Sequence, residues 1–273
     1  MTRVARRSIR RVFLAPKLVR LQPSGMLSLM PPLILYAATS NPGKLAEFQS
    51  AASAEGVEIQ ALPNLKQIPE PVEDALTFQG NADLKAIAYS LAAPGLLVFA
   101  DDSGLEVPAL HNQPGVRSAR FADDYAAQHS TAVISTQVPP NSAPSTEAQH
   151  PNFVISTGAQ RSGETPVFPL SRDDRNNTLL LHLMQHEPNR AARFVCNLAL
   201  ARNGEVLLRA HGTVEGQLLH APRGADGFGY DPLFLLPSLN LTFAEIPRHQ
   251  KWELSHRGKA FRALLAQLAT TRL

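Results

Sequence analysis

Two aspartates, Asp101 and Asp102, follow the apolar run Leu96-Leu97-Val98-Phe99-Ala100 and precede Ser103-Gly104. A buried strand that gives way to carboxylates is a site-like arrangement. Hydrolysis of a phosphoanhydride near neutral pH needs a divalent cation to offset polyphosphate charge, and a carboxylate to hold it or to activate water. Asp101, Asp102, Glu70, Glu73 and Asp74 are the candidates. Adjacent residues of an extended strand point to opposite faces, so the two aspartates should not share one role.

Three further clusters could complement them. Thr39-Ser40-Asn41-Pro42-Gly43-Lys44 lies between a strand and a helix start, where backbone N–H groups and the helix dipole favour an anion. It is not a Walker loop, because Ala38 stands where that pattern needs Gly and Leu45 where it needs Ser or Thr. In Gly224-Ala225-Asp226-Gly227-Phe228-Gly229-Tyr230-Asp231-Pro232 the glycines let backbone approach a ligand, and Phe228 or Tyr230 could stack on a planar base. Lys251 with Ser255-His256-Arg257-Gly258-Lys259 gathers donors suited to a phosphate or a base oxygen. Each cluster also has a plain structural reading as a turn, a tight loop or a capped helix start. Cys196 sits in the alternating run Phe194 to Leu200 and reads as a buried strand residue. No histidine pair at helical spacing flanks a glutamate, which argues against a zinc hydrolase.

The elements that must position these groups can be read from periodicity and breakers. Leu33 to Ala38 reads as a strand, Ser40 to Gly43 as a turn, and Lys44 to Ala54 as a helix carrying Leu45, Phe48 and Ala52 on one face. Val57 to Leu62 is extended, Pro63 to Pro71 is loop, Thr77 to Ala92 is a second helix, and Leu96 to Ala100 is a strand that breaks at Asp101. From Ala126 to Ser171 the composition turns to Ser, Thr, Pro, Gln and Ala, the signature of a flexible insertion. A helix is expected at Asn177 to His186, and strands at Ala192 to Ala201 and Glu205 to Val214 joined by the hairpin signal Asn203-Gly204. A final helix spans Arg257 to Thr270. The order indicates a mixed α/β fold.

Composition narrows the class. The chain has 273 residues, 44% of them hydrophobic, enough for a sizeable core. Its single cysteine excludes an internal disulfide framework and suits a reducing, cytoplasmic compartment. No apolar run reaches the length of a membrane span. The net charge of +3 is unevenly placed: residues 1–32 hold seven basic and no acidic residues, leaving 19 basic against 23 acidic groups in the rest. A weakly acidic body argues against a broad nucleic-acid surface. The basic stretch 1–32 has the make-up of a mitochondrial transit peptide, and reads equally as a disordered extension or as sequence ahead of a start at Met26 or Met30.

Taken together and in order, the clusters resemble the inosine triphosphate pyrophosphatase family, the XTP/dITP diphosphatases. The matching pieces are Thr39 to Lys44, Glu73-Asp74-Ala75-Leu76-Thr77-Phe78 with Asn81-Ala82 and Lys85-Ala86, and Ala100 to Leu105. Pro114 to Arg120, Phe228 to Pro232 and Ser255 to Gly258 complete them. The similarity spans about residues 33–125 and 173–270. It implies a long mixed β-sheet flanked by helices, with two lobes and a nucleotide cleft between them. It implies water-driven cleavage between the α and β phosphates of ITP, dITP or XTP, with Mg2+ as cofactor and a homodimer as the assembly.

Carried over by position, Asp102 would be general base and metal ligand, with Glu73 assisting at the metal. Thr39, Ser40, Asn41, Pro42, Gly43 and Lys44 would bind the phosphates, and Ser103 the substrate. Phe228, Gly229, Tyr230 and Asp231 would hold the nucleoside, and Lys251, His256 and Arg257 would finish the pocket. One departure stands out: Gly80 replaces the family's usual Glu before the Asn-Ala pair. The competing readings are a Maf-like nucleotide pyrophosphatase, a catalytically silent nucleotide-binding protein, and an RNA-binding role for the basic tail.

Overall fold

The computed structural model describes residues 33–55, 57–130 and 170–271. The basic stretch 1–32 and positions 131–169 of the expected insertion lie outside the described residues.

The elements in chain order are β1 (Leu33–Ala37), α1 (Pro42–Glu55), β2 (Val57–Ala61), α2 (Phe78–Ala92), β3 (Val98–Val107), β4 (Gln113–Pro114) and α3 (Phe121–Ser130). After the gap come α4 (Arg172–Leu183), β5 (Ala191–Arg202), β6 (Glu205–Leu218), β7 (Phe234–Leu236), β8 (Leu241–Thr242), α5 (Arg248–Leu254) and α6 (His256–Thr270). The strands form one mixed sheet in the order β2-β1-β3-β5-β6-β7-β8, with β4 beside β3. β1 runs parallel to β2 and β3, while β3, β5 and β6 are antiparallel to one another in sequence. The expected long mixed sheet flanked by helices is what is observed.

Helices cover both faces. On one, α1, α5 and α6 bury Phe48, Trp252, Phe261 and Leu264 against Leu35, Phe99 and Leu198 of the sheet. On the other, α2 sets Ala82, Ala86 and Tyr89 against Val98, Ala100 and Ala199. At the far end Leu180 and Met184 pack with Phe194, Tyr230, Phe234 and Phe243. Much of this third cluster comes from the 219–247 segment, which carries β7 and β8. No helix among the described residues is long and apolar enough to cross a membrane.

Two expectations need correction. β3 does not break at Asp101; it continues to Val107, because each aspartate finds cations on its own face and strand β5 pairs it from Val98 to Glu106. Gly104 permits the run to continue, since a Cβ there would meet Ser118 Oγ at 2.4 Å and the Gly115 carbonyl at 2.5 Å. The insertion also begins later than composition suggests: α3 extends to Ser130, and α4 starts at Arg172, five residues before the expected helix start. Ser171 explains that early start, its hydroxyl accepting from the Asp174 N–H at 3.1 Å as an N-cap. The predicted hairpin is present, with Asn203 and Gly204 both at positive φ as a tight two-residue turn requires.

Candidate active site

The site forms where β1 stops. Its pairing with β3 covers only Tyr36 to Ala37 opposite Val98 to Phe99, followed by the Ala38 N–H bond to the Phe99 carbonyl at 2.9 Å. β4 then takes up the same edge of β3 only at Glu106 and Val107. The stretch from Ala100 to Leu105 therefore borders a gap at the carboxyl end of β1, the kind of crevice in which open α/β sheets bind ligands.

Strand alternation divides the two aspartates, as expected. Asp101 faces α1 and α6, where its Oδ2 lies 2.8 Å from Lys44 Nζ, accepts the Ser103 hydroxyl at 2.6 Å, and stands 3.9 Å from Arg257 Nε. Burial by itself would raise the Asp101 carboxyl, but Lys44 foremost, then Arg257 and Lys85, hold it well below the ordinary carboxylate range. It is an anchored anion rather than a proton acceptor. Asp102 faces α2: Asn81 Nδ2 donates to its Oδ2 at 3.1 Å, and Lys85 Nζ lies 3.3 Å from its Oδ1. Burial pushes the Asp102 carboxyl up, against the opposing pull of Lys85 and Asn81. A raised, tethered carboxylate at a crevice has the character of a general base.

Lys85 joins a third group to this centre, since its ammonium also lies 3.0 Å from Glu73 Oε2. Although burial disfavours its charge, Asp102, Asp101 and Glu73 more than offset that, so the lysine stays protonated. Glu70 and Asp74 have exposed side chains and no recorded bond to the two aspartates, which leaves Glu73 as the loop's contribution. At Gly80 an added Cβ would stand 2.7 Å from Ala75 Cβ and 3.1 Å from Thr77 Oγ1. A side chain at that position would require Ala75 to move.

The expected phosphate loop is the entry to α1. Asn41 Oδ1 caps the helix by accepting from the N–H groups of Gly43 at 2.9 Å and Lys44 at 3.1 Å, and Thr39 Oγ1 accepts from the Asn41 N–H. Pro42 opens the helix, a position where its missing N–H costs nothing. Ser40 is exposed. Gly43 brings this entry against Phe228, whose ring would lie 3.3 Å from a Cβ placed there.

A cavity of about 320 Å³ lies between the two loops, lined by Asn41, Gly43, Glu47, Phe228, Phe243 and Lys251 among others. Phe228 carries cations on its ring, Lys251 Nζ at 5.2 Å and the Arg257 guanidinium at 4.8 Å from the centroid. Lys251 Nζ is 2.5 Å from Asp231 Oδ2, which also accepts from the Phe228 N–H at 2.9 Å. Tyr230 is not a wall of this cavity; it is buried in the far cluster with its hydroxyl on the Ser118 carbonyl at 2.9 Å. Phe228 is thus the ring available for stacking. His256 is also buried, stacked on Phe194 at 4.7 Å, with no hydrogen-bond partner for either ring nitrogen among the described residues. Burial, then Arg257 and Lys251, hold its pKa well below the ordinary value, so the imidazole is neutral.

Reasoning from sequence missed Glu47. Its carboxylate is buried between Lys251 Nζ and Arg257 Nη1, each at 3.3 Å, and completes a chain of ion pairs from Lys44 through Asp101, Arg257 and Lys251 to Asp231. The available signal was its position three residues after Lys44 on α1, which puts both on one helix face. Asn81 and Lys85 stood within the recognised motifs but without a role.

A model of the Ham1 family matches residues 35–149 and 161–267. The chain belongs to the Ham1 family. The Ham1 match also runs through much of the span that had looked unlike the family, residues 126–149 and 161–171. Among relatives, a protein of Acidobacterium capsulatum called dITP/XTP pyrophosphatase is 46% identical over 86% of this chain and 98% of its own length. Among solved Ham1 structures, one from Coxiella burnetii superimposes with a TM-score of 0.63 at 30% identity, covering 88% of this chain and all of that one. The Staphylococcus aureus Ham1 protein gives 0.62 at 28% identity, with the same coverage. The resemblance read from the motifs is borne out.

Proposed function

We propose that this Ham1 protein is a nucleoside triphosphate pyrophosphatase that hydrolyses non-standard purine nucleotides, ITP, dITP and XTP, to the monophosphate and pyrophosphate. The observation that carries the reading is the division of β3: Asp101 holds Lys44 beside the phosphate-side helix entry, while Asp102 stands free of that network as a raised carboxylate on the other face. The names of the relatives, dITP/XTP pyrophosphatase, supply the substrate class.

In this reading the triphosphate lies across the end of β1. Lys44, the α1 entry at Thr39 to Gly43, and Ser103 hold its phosphates, with the helix dipole adding attraction for the anion. Asp102 takes the proton from water as its oxygen joins phosphorus and the α–β bridging bond breaks, releasing pyrophosphate. Asn81 fixes the carboxylate's orientation. Phe228 stacks on the base, Asp231 positions Lys251, and Lys251 and Arg257 supply the polar side of the pocket, with the neutral His256 packed behind them on Phe194. Donors aimed at a 6-oxo group are left unpaired by adenine, a mismatch that can cost on the order of 10⁴-fold.

Glu73 and Asp102 would hold Mg2+. They fit in kind, because both carboxylates already converge on one cation, the Lys85 ammonium, and hard oxygen donors suit magnesium. Among the described residues no group of three or more His, Cys, Asp or Glu is placed to hold a metal, so phosphate oxygens and water would supply the other positions. The ion would offset polyphosphate charge. Homodimer assembly rests on the family resemblance, and a cytoplasmic setting on the lone, buried Cys196.

A panel of triphosphates with product identification tests the reading. ITP, dITP and XTP should yield monophosphate and pyrophosphate much faster than ATP. Release of orthophosphate, or equal turnover of ATP, would refute it.

A further inference from the structure

We propose that Asp173 and Asn177 of α4 are positioning residues that hold Phe228 in place, so that affinity for the nucleoside depends on a helix that lines no part of the cavity. The proposal rests on the pyrophosphatase reading above.

The geometry is a two-point grip on one residue. Asp173 Oδ2 accepts from the Gly229 N–H at 2.7 Å, and Asn177 Nδ2 donates to the Gly229 carbonyl at 2.9 Å. The two side chains are four residues apart, hence stacked on one helix face. Both backbone groups of Gly229 are thereby bonded to α4, next in sequence to the ring that borders the cavity. A segment carrying Gly224, Gly227 and Gly229 has many conformations to lose, so partners outside it must select one.

The helix that makes the grip is itself fastened. Asn176 Oδ1 accepts from the Ala122 N–H at 2.9 Å, and its Nδ2 donates to the Ser118 carbonyl at 3.3 Å. Leu179 and Leu180 are fully buried beneath it. Tyr230 reaches the same Ser118 carbonyl from the other side of the loop. On the cavity side, Phe228 is held by its N–H bond to Asp231 and by contact with Lys251 and Arg257. Gly229 is the link between these two sets of bonds.

The test uses the full chain with Asp173→Ala, Asn177→Leu and the conservative Asp173→Asn, which keeps an acceptor oxygen. Asp173 is half-buried in the first turn of α4, and its truncation leaves the Leu179 and Leu180 contacts in place. Amide hydrogen exchange over residues 227–231 should accelerate in Asp173→Ala and Asn177→Leu, with exchange in α6 unchanged. KM for ITP should rise about tenfold, the scale of one lost hydrogen bond, and kcat should change by less than about threefold. Inhibition by inorganic tripolyphosphate should be unaffected, and Asp173→Asn should recover most of the KM.

Unchanged loop exchange, or faster exchange with a normal KM, overturns the proposal. So does a fall in kcat at constant KM, or an equal loss of affinity for tripolyphosphate. If the wild-type protein turns over no nucleoside triphosphate, the pyrophosphatase reading fails on that protein alone and takes the proposal with it. Active wild type with a wild-type KM in the variants refutes only the grip.

Discussion

Glu47→Gln removes a buried charge from between two cations while keeping the side chain's size. The consequence can be worked from the neighbours. Lys251 retains Asp231 at 2.5 Å, but Arg257 is left with Asp101 at 3.9 Å as its one carboxylate within ion-pair distance among the described residues, with a more distant pull from Asp231. Breaking a buried pair by removing one partner costs roughly 3–5 kcal/mol, and the retained partners reduce this to about 2–3 kcal/mol. For a domain of this size each kcal/mol lowers Tm by about 2–4 °C, so the fall should be about 5–10 °C. Because Arg257 lies on the Phe228 ring, KM for ITP should rise as well. Thermal unfolding gives the first quantity and steady-state kinetics the second. A stability double-mutant cycle with Arg257→Met should show coupling of at least about 1 kcal/mol. A Tm within about 1 °C of wild type, with additive effects in the cycle, would refute the view that Glu47 closes the ion-pair chain.

Asp102→Asn should lower kcat by about 10² to 10⁴ with the fold intact by circular dichroism, and in wild type the acid limb of kcat/KM should fall above the ordinary carboxylate range, because burial raises the Asp102 carboxyl. Lys44→Met should destabilise by about 2–3 kcal/mol in denaturant melts at pH 7, because Asp101 keeps the Ser103 hydroxyl and Arg257. A depressed Asp101 pKa contributes stability above the unfolded carboxylate value that is lost as pH falls, so the variant and wild type should converge in acid. For His256, a folded pKa far below the unfolded one means stability is full above about pH 6.5 and falls by up to about 1.4 kcal/mol per unit beneath it. Melts of His256→Phe between pH 8 and 5 should lack that slope. Chelation with EDTA should abolish pyrophosphate release, and added magnesium should restore it.

The fold was largely legible because its signals are local. The helix from Thr77, the Asn203-Gly204 hairpin and the apolar run before Asp101 are set by periodicity and turn chemistry within a few residues. Where the reading failed, the deciding partner was distant in sequence. Asp101 looked like a strand end because two adjacent carboxylates are poor strand residues in isolation, yet Lys44 and Arg257 on one face and Asn81 and Lys85 on the other keep the strand going. Tyr230 and Phe228 are equally good stacking candidates as letters. Only packing shows that Tyr230 faces the core and Phe228 the cavity.

By itself, then, the sequence determined the ordered motifs, the strand–helix framework and the opposite facing of Asp101 and Asp102, since alternation is a property of extended backbone. Tertiary structure alone decided which charges meet. Glu47 became the bridge between Lys251 and Arg257, and Lys85 the cation shared by Glu73 and Asp102. The physical reason is that a charge can be buried only where opposite charges converge, and here the partners come from as far as 210 residues along the chain.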